Sequence, residues 1–293
     1  MRIRLFEANG MNRRKLEEAA FKVLMIAATF AVAGSLFAVV GIVLWKGLPA
    51  LDLAMITQTP KGGYYLGKEG GILNAIVGSL YLAFGATALA FPVSLLVALF
   101  LQKDYYGNSW FGNFSRFSLD VLWGVPSIVY GAFGFTVMIF LGMKASLLAG
   151  ILVLALLELP IMIRAMEEAI RMVSSEIKES SYALGLTRFE TMLKVVCRQA
   201  LPGILTAVLL AFGRGIGDAA SILFTTGYTD QLPASLFDPV ASLPLAVFFQ
   251  LGTPFAEVQQ RAYASAAILL VVVLATSLAS RLLANKFMKY VVR

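Results

Sequence analysis

Residues 194–227 read KVVCRQALPGILTAVLLAFGRGIGDAASILFTTG. A basic segment ends at the pair 201–202, and the apolar run that follows is long enough to cross a bilayer. Arg214 and Asp218 lie in the middle of this run. A charge at the centre of a bilayer costs about 2.5–3.5 kcal/mol even on lenient insertion scales, so such residues usually have a function. The stretch therefore predicts a membrane span that carries two functional charges.

The composition is that of a polytopic membrane protein. Of the 293 residues, 59% are hydrophobic and 14% are charged, whereas a soluble domain has about 25% charged residues. The net charge of +7 is scattered between apolar runs, so we expect no nucleic-acid partner. The chain has no histidine and a single cysteine, Cys197. Histidine metal sites, catalytic triads and disulfides within the chain are thereby excluded, and we expect neither a metal nor a cofactor.

Six apolar runs can each cross a membrane as a helix with a rise of 1.5 Å per residue. They are residues 21–45, 72–101, 117–141, 145–163, 202–226 and 262–284. The first run is about 25 residues long, which exceeds the core of a signal peptide, so it is interpreted as an uncleaved span. The sequence predicts an all-α protein with an N-terminal segment, 1–20, and a transmembrane domain, 21–293.

Lysine and arginine residues predict the orientation of these spans. An even number of spans places both termini on one side of the membrane. If that side is the cytoplasm, it holds 18 of the 24 basic residues, five lie outside, and Arg214 is within the membrane. The positive-inside rule therefore predicts an inner-membrane protein with both termini in the cytoplasm.

Two long loops are predicted outside the membrane, at 46–71 and 227–261. The first contains GGYYLGKE (62–69), which lacks the final Ser or Thr of a nucleotide-binding loop and follows no strand, so a turn-rich loop is expected. The second contains LPLAVFFQL (243–251), which is too short to span. It is interpreted either as a re-entrant or interfacial segment or as an amphipathic cap over the helices.

The longest cytoplasmic segment, 164–200, has the pattern of two helices joined by a tight turn. Thr187 and Glu190 have the spacing of a capping box that opens the second helix. Gly185 lies between the helices, where a positive φ is expected. The alternative is an ordinary amphipathic surface loop.

This segment resembles the EAA loop of ABC importer permeases. Glu179, Ser180 and Ser181 occupy the EAA positions, with serine in place of both alanines, and Gly185 occupies the glycine position. Further stretches appear in the order expected for the second permease subunit of the phosphate-specific ABC importer. They are GGILNAIVGSLYL (70–82), GVPSIVYGAFGF (124–135), LPIMIRAMEEAIRMV (159–173), ESSYALGLTRFETM (179–192), ALPGI (200–204), AFGRGIGDAASILFT (211–225) and QRAYASA (260–266).

The resemblance implies the fold of a type I ABC importer permease. It implies a heterodimer with a homologous permease, two cytoplasmic ATPase subunits and an external phosphate-binding protein, so that this chain is not itself an enzyme. The 176–200 helix pair would dock the ATPase. The residues expected to couple it are Glu179, Ser180, Ser181, Gly185, Thr187 and Glu190.

Four charged residues are candidates for the substrate pathway. Arg214 lies about 18 Å into its span, and a guanidinium there can bind an oxyanion with two parallel hydrogen bonds. Asp218 is one turn away and can neutralise it, although the family usually has Glu at this position; a static pair that locks two helices is the alternative. Glu158 is expected to pair with Arg214. The resemblance makes Arg164 a lower-pathway charge, the alternative being a side chain that extends to the lipid headgroups.

Two other functions stay open from the sequence. A permease for molybdate, tungstate or sulfate would use the same chemistry, because a guanidinium fits any tetrahedral oxyanion. An ion-coupled secondary transporter would show internal repeats with paired broken helices. No such repeat is apparent, and that class would leave the charged segment 164–200 unexplained.

Overall fold

The computed structural model describes residues 2–61 and 69–287, and within them nearly all regular structure is helical. The helices are α1 (Arg2–Gly47), α2 (Leu53–Thr57), α3 (Leu73–Phe100), α4 (Trp110–Gly124), α5 (Ser127–Phe140), α6 (Leu147–Arg171), α7 (Ser175–Ala183), α8 (Arg188–Glu190), α9 (Cys197–Gln199), α10 (Leu201–Ile216), α11 (Leu243–Leu251) and α12 (Ala256–Phe287). A 3-10 turn covers Leu48–Ala50, and a π-helical segment, Thr191–Val196, joins α8 to α9.

The first long loop holds the only strand pairing within the described ranges. β1 (Pro60–Lys61) and β2 (Glu69–Gly70) run antiparallel, with Pro60 opposite Gly70. Most of the stretch that resembles a nucleotide-binding loop, 62–68, lies outside the described residues.

The core is built where α3, α6 and α10 pack together. α6 contributes fully buried residues such as Leu154 and Met166, and α10 contributes Ile204 and Ala211. Small residues of α3 are buried against several neighbouring elements, as expected for close helix packing, and they include Ala75, Gly78, Ser79, Ala83 and Ala86.

Four of the described helices are long and apolar enough to cross a membrane, and two bent helix pairs raise the number to six if each pair is one span. The four are α1, α3, α6 and α12. The apolar run 117–141 is not one continuous helix, because α4 and α5 meet at an angle of 99°. Val125 and Pro126 are both extended at the break, as expected since proline disfavours helical geometry in the residue before it.

The predicted fifth span also differs from a continuous helix. α10 ends at Ile216, so the rest of the run 202–226 has left the helix. Two carbonyls of this non-helical stretch accept hydrogen bonds from other parts of the chain. The N–H of Ser146 donates to the carbonyl of Thr225, and the N–H of Val240 donates to the carbonyl of Thr226. Irregular backbone at membrane depth requires such partners, because lipid supplies none.

Helix ends shift two other predicted boundaries. α6 continues to Arg171, so residues 164–171 of the predicted cytoplasmic loop belong to this helix. α1 begins at Arg2, so residues 2–20 continue the first helix and do not form a separate element. From residue 17 to residue 50, the most apolar window of this helix is 0% buried.

α11 covers residues 243–251, and its first half is inserted among the other helices. Leu243 and Leu245 are almost fully buried, and the backbone N–H of Leu243 donates to the hydroxyl of Ser79 on α3. This burial favours a re-entrant segment over a cap on the surface of the bundle.

Candidate functional site

Arg214 and Asp218 form an ion pair where α10 ends, as their spacing predicts. Nη1 of Arg214 lies 3.1 Å from Oδ2 of Asp218, and Oδ1 of Asp218 accepts a hydrogen bond from the N–H of Ser221. The side chain of Asp218 is 3% exposed, whereas that of Arg214 is 48% exposed. The buried carboxylate holds one edge of the guanidinium and leaves the rest open at the surface of the chain.

Glu158 does not pair with Arg214, so that prediction is wrong. Its buried carboxylate accepts a hydrogen bond of 2.9 Å from the hydroxyl of Thr87, which ties α6 to α3. The other oxygen, Oε1, faces Gly215 and has no hydrogen-bond partner among the described residues. Because consecutive helix positions are about 100° apart around the axis, Gly215 meets the acid and Arg214 points elsewhere.

The glycines around Arg214 have different surroundings. A β-carbon at Gly215 would overlap Oε1 of Glu158, whereas one at Gly213 would meet nothing within 4 Å. At Gly217 the nearest atom would be 3.8 Å away. Of the three, Gly215 alone is in close contact with another helix among the described residues.

Arg164 is bound by two carboxylates. Its Nε donates to Asp120 on α4 at 2.9 Å, and its Nη1 donates to Glu167 at 3.1 Å. The side chain is 22% exposed and turns towards α4. Arg164 follows Glu158 by six residues, so the two positions are separated by about 9 Å along the axis of α6. The two candidate arginines thus have separate acidic partners.

Arg116 on α4 completes this cluster. Its Nε lies 2.6 Å from Oε1 of Glu167, and its two terminal nitrogens donate to the backbone carbonyls of Leu101 and Gly107, each at 2.6 Å. One side chain therefore joins α4, α6 and the loop 101–109 that connects α3 to α4.

The sequence interpretation missed the partners Asp120, Glu167, Arg116 and Thr87. Two signals were available. Glu167 follows Arg164 by three residues, a spacing that brings helical side chains together, and Asp120 is an acid inside an apolar run. For Thr87 and Arg116 no comparable pattern exists, because their contacts join helices distant in sequence.

The segment 174–200 has the predicted helix–turn–helix form. Gly185 has a φ of +85°, and Thr187 and Glu190 form both bonds of a capping box. Ser174 caps the first helix, α7, by accepting from the N–H of Glu176. The second helix runs over residues 188–199 and joins α10 at a bend of 72°. The helix pair is therefore attached directly to the helix that carries Arg214.

The EAA-like residues do not all face outward. Glu179 and Ser180 are exposed on α7. Ser181 is 7% exposed, and its hydroxyl donates to the carbonyl of Ile177. Only the first two are available to a docking protein.

A cleft of about 390 Å³ separates α7 from the loop 101–109. Lys178 and Asp104 cross it with an ion pair of 2.8 Å. Burial is the main cause that raises the pKa of Tyr105 and of Tyr182 beside this pair, and the charge of Asp104 adds to it. The ion pair therefore bridges the cleft between the two segments.

Residues 90–289 match the family described as binding-protein-dependent transport system inner membrane component. The chain is 35% identical to the phosphate transport system permease protein PstA of Xylella fastidiosa (strain Temecula1). The match extends over 279 residues, which are 94% of this chain and 95% of that protein. It is 33% identical over 241 residues to PstA of Yersinia pestis, covering 82% of this chain and 81% of that one.

Solved structures share the fold. The MetNI methionine ABC transporter in an inward-facing conformation matches with a TM-score of 0.62 at 18% identity, over 73% of this chain and 95% of that chain. A bacterial alginate ABC transporter, bound to its periplasmic protein, matches with a TM-score of 0.58 at 15% identity, over 90% and 95% of the chains. These likenesses confirm the predicted ABC importer permease fold. With the sequence relatives they show that the chain is a multi-pass transport subunit of the inner membrane and belongs to the binding-protein-dependent transport system inner membrane component family.

Proposed function

We propose that this chain forms half of the translocation pathway of an ATP-driven importer for inorganic phosphate. A homologous permease supplies the other half, two cytoplasmic ATPase subunits hydrolyse ATP, and an external binding protein delivers phosphate. Both termini lie in the cytoplasm in this proposal. Support for phosphate comes from the relatives, which are named as phosphate transport permeases.

The proposal rests on one observation, namely that Arg214 and Asp218 pair with each other although their side chains differ widely in exposure. The guanidinium is 48% exposed on this chain beside a carboxylate that is 3% exposed, so part of it stays open to a ligand. Its free N–H groups can donate two parallel hydrogen bonds to a tetrahedral oxyanion. Asp218 orients the guanidinium and lowers the cost of a charge in the membrane when no anion is bound.

Uptake of radiolabelled phosphate by cells with and without this chain tests the proposal. We expect uptake to depend on the chain, and an excess of unlabelled phosphate to compete far better than sulfate or molybdate. The purified permease should bring an ATPase subunit with it. Competition by molybdate or sulfate instead would assign the permease to another oxyanion, and purification without any ATPase would contradict an ABC importer.

Gly185→Val is expected to weaken docking of the ATPase subunit. A β-carbon at Gly185 would meet nothing within 4 Å, so the penalty comes from the φ of +85° alone. For a β-branched residue that penalty is about 1–2 kcal/mol, whereas Asn tolerates the conformation. We expect less co-purified ATPase with Gly185→Val and near wild-type amounts with Gly185→Asn, at equal levels of permease in the membrane. Equal ATPase in both variants would exclude this turn from the docking element.

Ser180→Cys is expected to cross-link to the ATPase subunit and to resist reagents added outside intact cells. Ser180 is exposed on α7, unlike its neighbour Ser181. The variant is made with Cys197→Ala, so that the new thiol is the sole cysteine. Labelling by a membrane-impermeant maleimide should require broken cells. Labelling from outside intact cells would place α7 on the wrong side and overturn the orientation.

A further inference from the structure

The loop 101–109 is held from two sides by charged side chains. On the side of the helix bundle, Arg116 donates to the carbonyls of Leu101 and Gly107 and pairs with Glu167 on α6. On the side of α7 and α8, Lys178 pairs with Asp104. Arg188 adds a bond of 3.3 Å to the carbonyl of Asp104. The loop thus lies between the ATPase-docking helices and the helices α4 and α6.

The loop is built as a rigid body. The N–H of Gly107 donates to the carbonyl of Gln102, and that of Tyr106 to the carbonyl of Phe100. The rings of Phe100 and Tyr106 stack with their centroids 4.6 Å apart. A β-carbon at Gly107 would overlap the carbonyl of Leu101, so the turn packs its two ends in close contact. A rigid segment passes a displacement from one end to the other without absorbing it.

The ion pair between Lys178 and Asp104 is partly shielded from water. The two side chains are 15% and 27% exposed. By contrast, the pair between Arg171 and Glu168 at the end of α6 is 65% and 66% exposed and spans 3.9 Å. Shielded pairs are screened less by salt and are stronger than exposed ones. The first pair also joins two separate elements, whereas the second lies within one helix.

We propose that Asp104 and Arg116 are positioning residues of a second coupling route, in which the loop 101–109 carries motion of α7 and α8 to α4 and α6. The proposal rests on the proposed docking of an ATPase on α7. The direct route runs from the second helix of the pair, 188–199, into α10 and so reaches Arg214. The second route reaches Glu167 and, through it, Arg164. ATP-driven movement would then shift both candidate arginines together.

The test uses the complete purified complex in phosphate-loaded proteoliposomes and compares Asp104→Asn with Glu168→Gln. Each variant neutralises one ion-paired acid, but only Asp104 bridges two elements. We expect Asp104→Asn to bind the ATPase normally and to lower phosphate transported per ATP hydrolysed by about fivefold or more, the low end of coupling between two sites. Glu168→Gln should keep the wild-type ratio. The exchange of charges, Asp104→Lys with Lys178→Asp, should restore most of the ratio.

The outcomes separate this inference from the proposed function. If the wild-type complex lacks an ATPase or does not transport phosphate, the proposed function fails. If the wild-type complex works and Asp104→Asn keeps its ratio, the second coupling route is overturned on its own. A lower melting temperature with an unchanged ratio would also overturn it, because Asp104 would then serve stability only. Phosphate transport and ATP hydrolysis are measured on the same preparation, so a lower yield of a variant does not change the phosphate transported per ATP hydrolysed.

Discussion

Arg214→Gln is expected to lower phosphate uptake by about 100-fold or more, because charge-assisted hydrogen bonds contribute about 1.5–3 kcal/mol each and a bidentate contact has two. Glutamine keeps much of the length and the hydrogen-bonding capacity of arginine but lacks the charge. Radiolabelled phosphate uptake, normalised to the amount of assembled permease, measures the loss. Arg281→Gln is the matched control, since Arg281 is exposed near the end of α12 and should leave uptake unchanged.

The single variant also leaves Asp218 as an unpaired buried carboxylate, and breaking a buried pair in this way is destabilising. The double variant Arg214→Gln with Asp218→Asn removes that penalty. We expect the double variant to assemble better than the single one and still to fail in transport. Recovery of uptake in the double variant would show that the pair serves only to hold the helices, which would contradict a role for Arg214 in the pathway.

Gly215→Ala is expected to destabilise the permease by about 1–3 kcal/mol, the usual cost of forcing an extra carbon into a packed interior. The added β-carbon would overlap Oε1 of Glu158. The carboxylate cannot swing aside without giving up its bond to Thr87. Thermal unfolding of the purified complex in detergent measures the effect, and uptake should fall with the amount of folded permease.

Gly213→Ala supplies a control two residues earlier in the same helix. A β-carbon there has open space, so alanine is expected to be neutral or to add up to about 1 kcal/mol through its better helix propensity. Glu158→Ala combined with Gly215→Ala should recover part of the lost stability, because it removes the atom that collides. Equal melting temperatures for Gly213→Ala and Gly215→Ala would refute the contact between α6 and α10.

Local patterns predicted local structure well. The capping box at Thr187 and Glu190, the positive φ of Gly185 and the pair of Arg214 with Asp218 all depend on residues within a few positions of one another. Their geometry follows from the helix repeat and from backbone sterics. Hydrophobic length likewise indicated which helices can span a membrane.

Contacts between distant segments were predicted poorly. Depth in the membrane alone predicts that Glu158 pairs with Arg214, but depth does not define which face of α10 turns towards α6. The break before Pro126 could not be separated by pattern from Pro92 and Pro160, which lie inside unbroken helices. Proline is compatible with either outcome in a membrane helix, and neighbouring helices decide between them.

Because α10 ends early, the stretch after it can reach its final structure only when certain later residues have been synthesised. Apart from Asp218, the stretch 217–226 has no charged residue, and it is part of the run predicted to enter the bilayer. Of its partners, Ser146 has already been synthesised, but Val240, which bonds to the carbonyl of Thr226, has not. Until residue 240 emerges, the unpaired peptide groups favour a helix that continues through this stretch, since a helix alone satisfies them in lipid. We therefore expect unwinding of the last turns to be a late step that awaits synthesis of the following loop, 227–261.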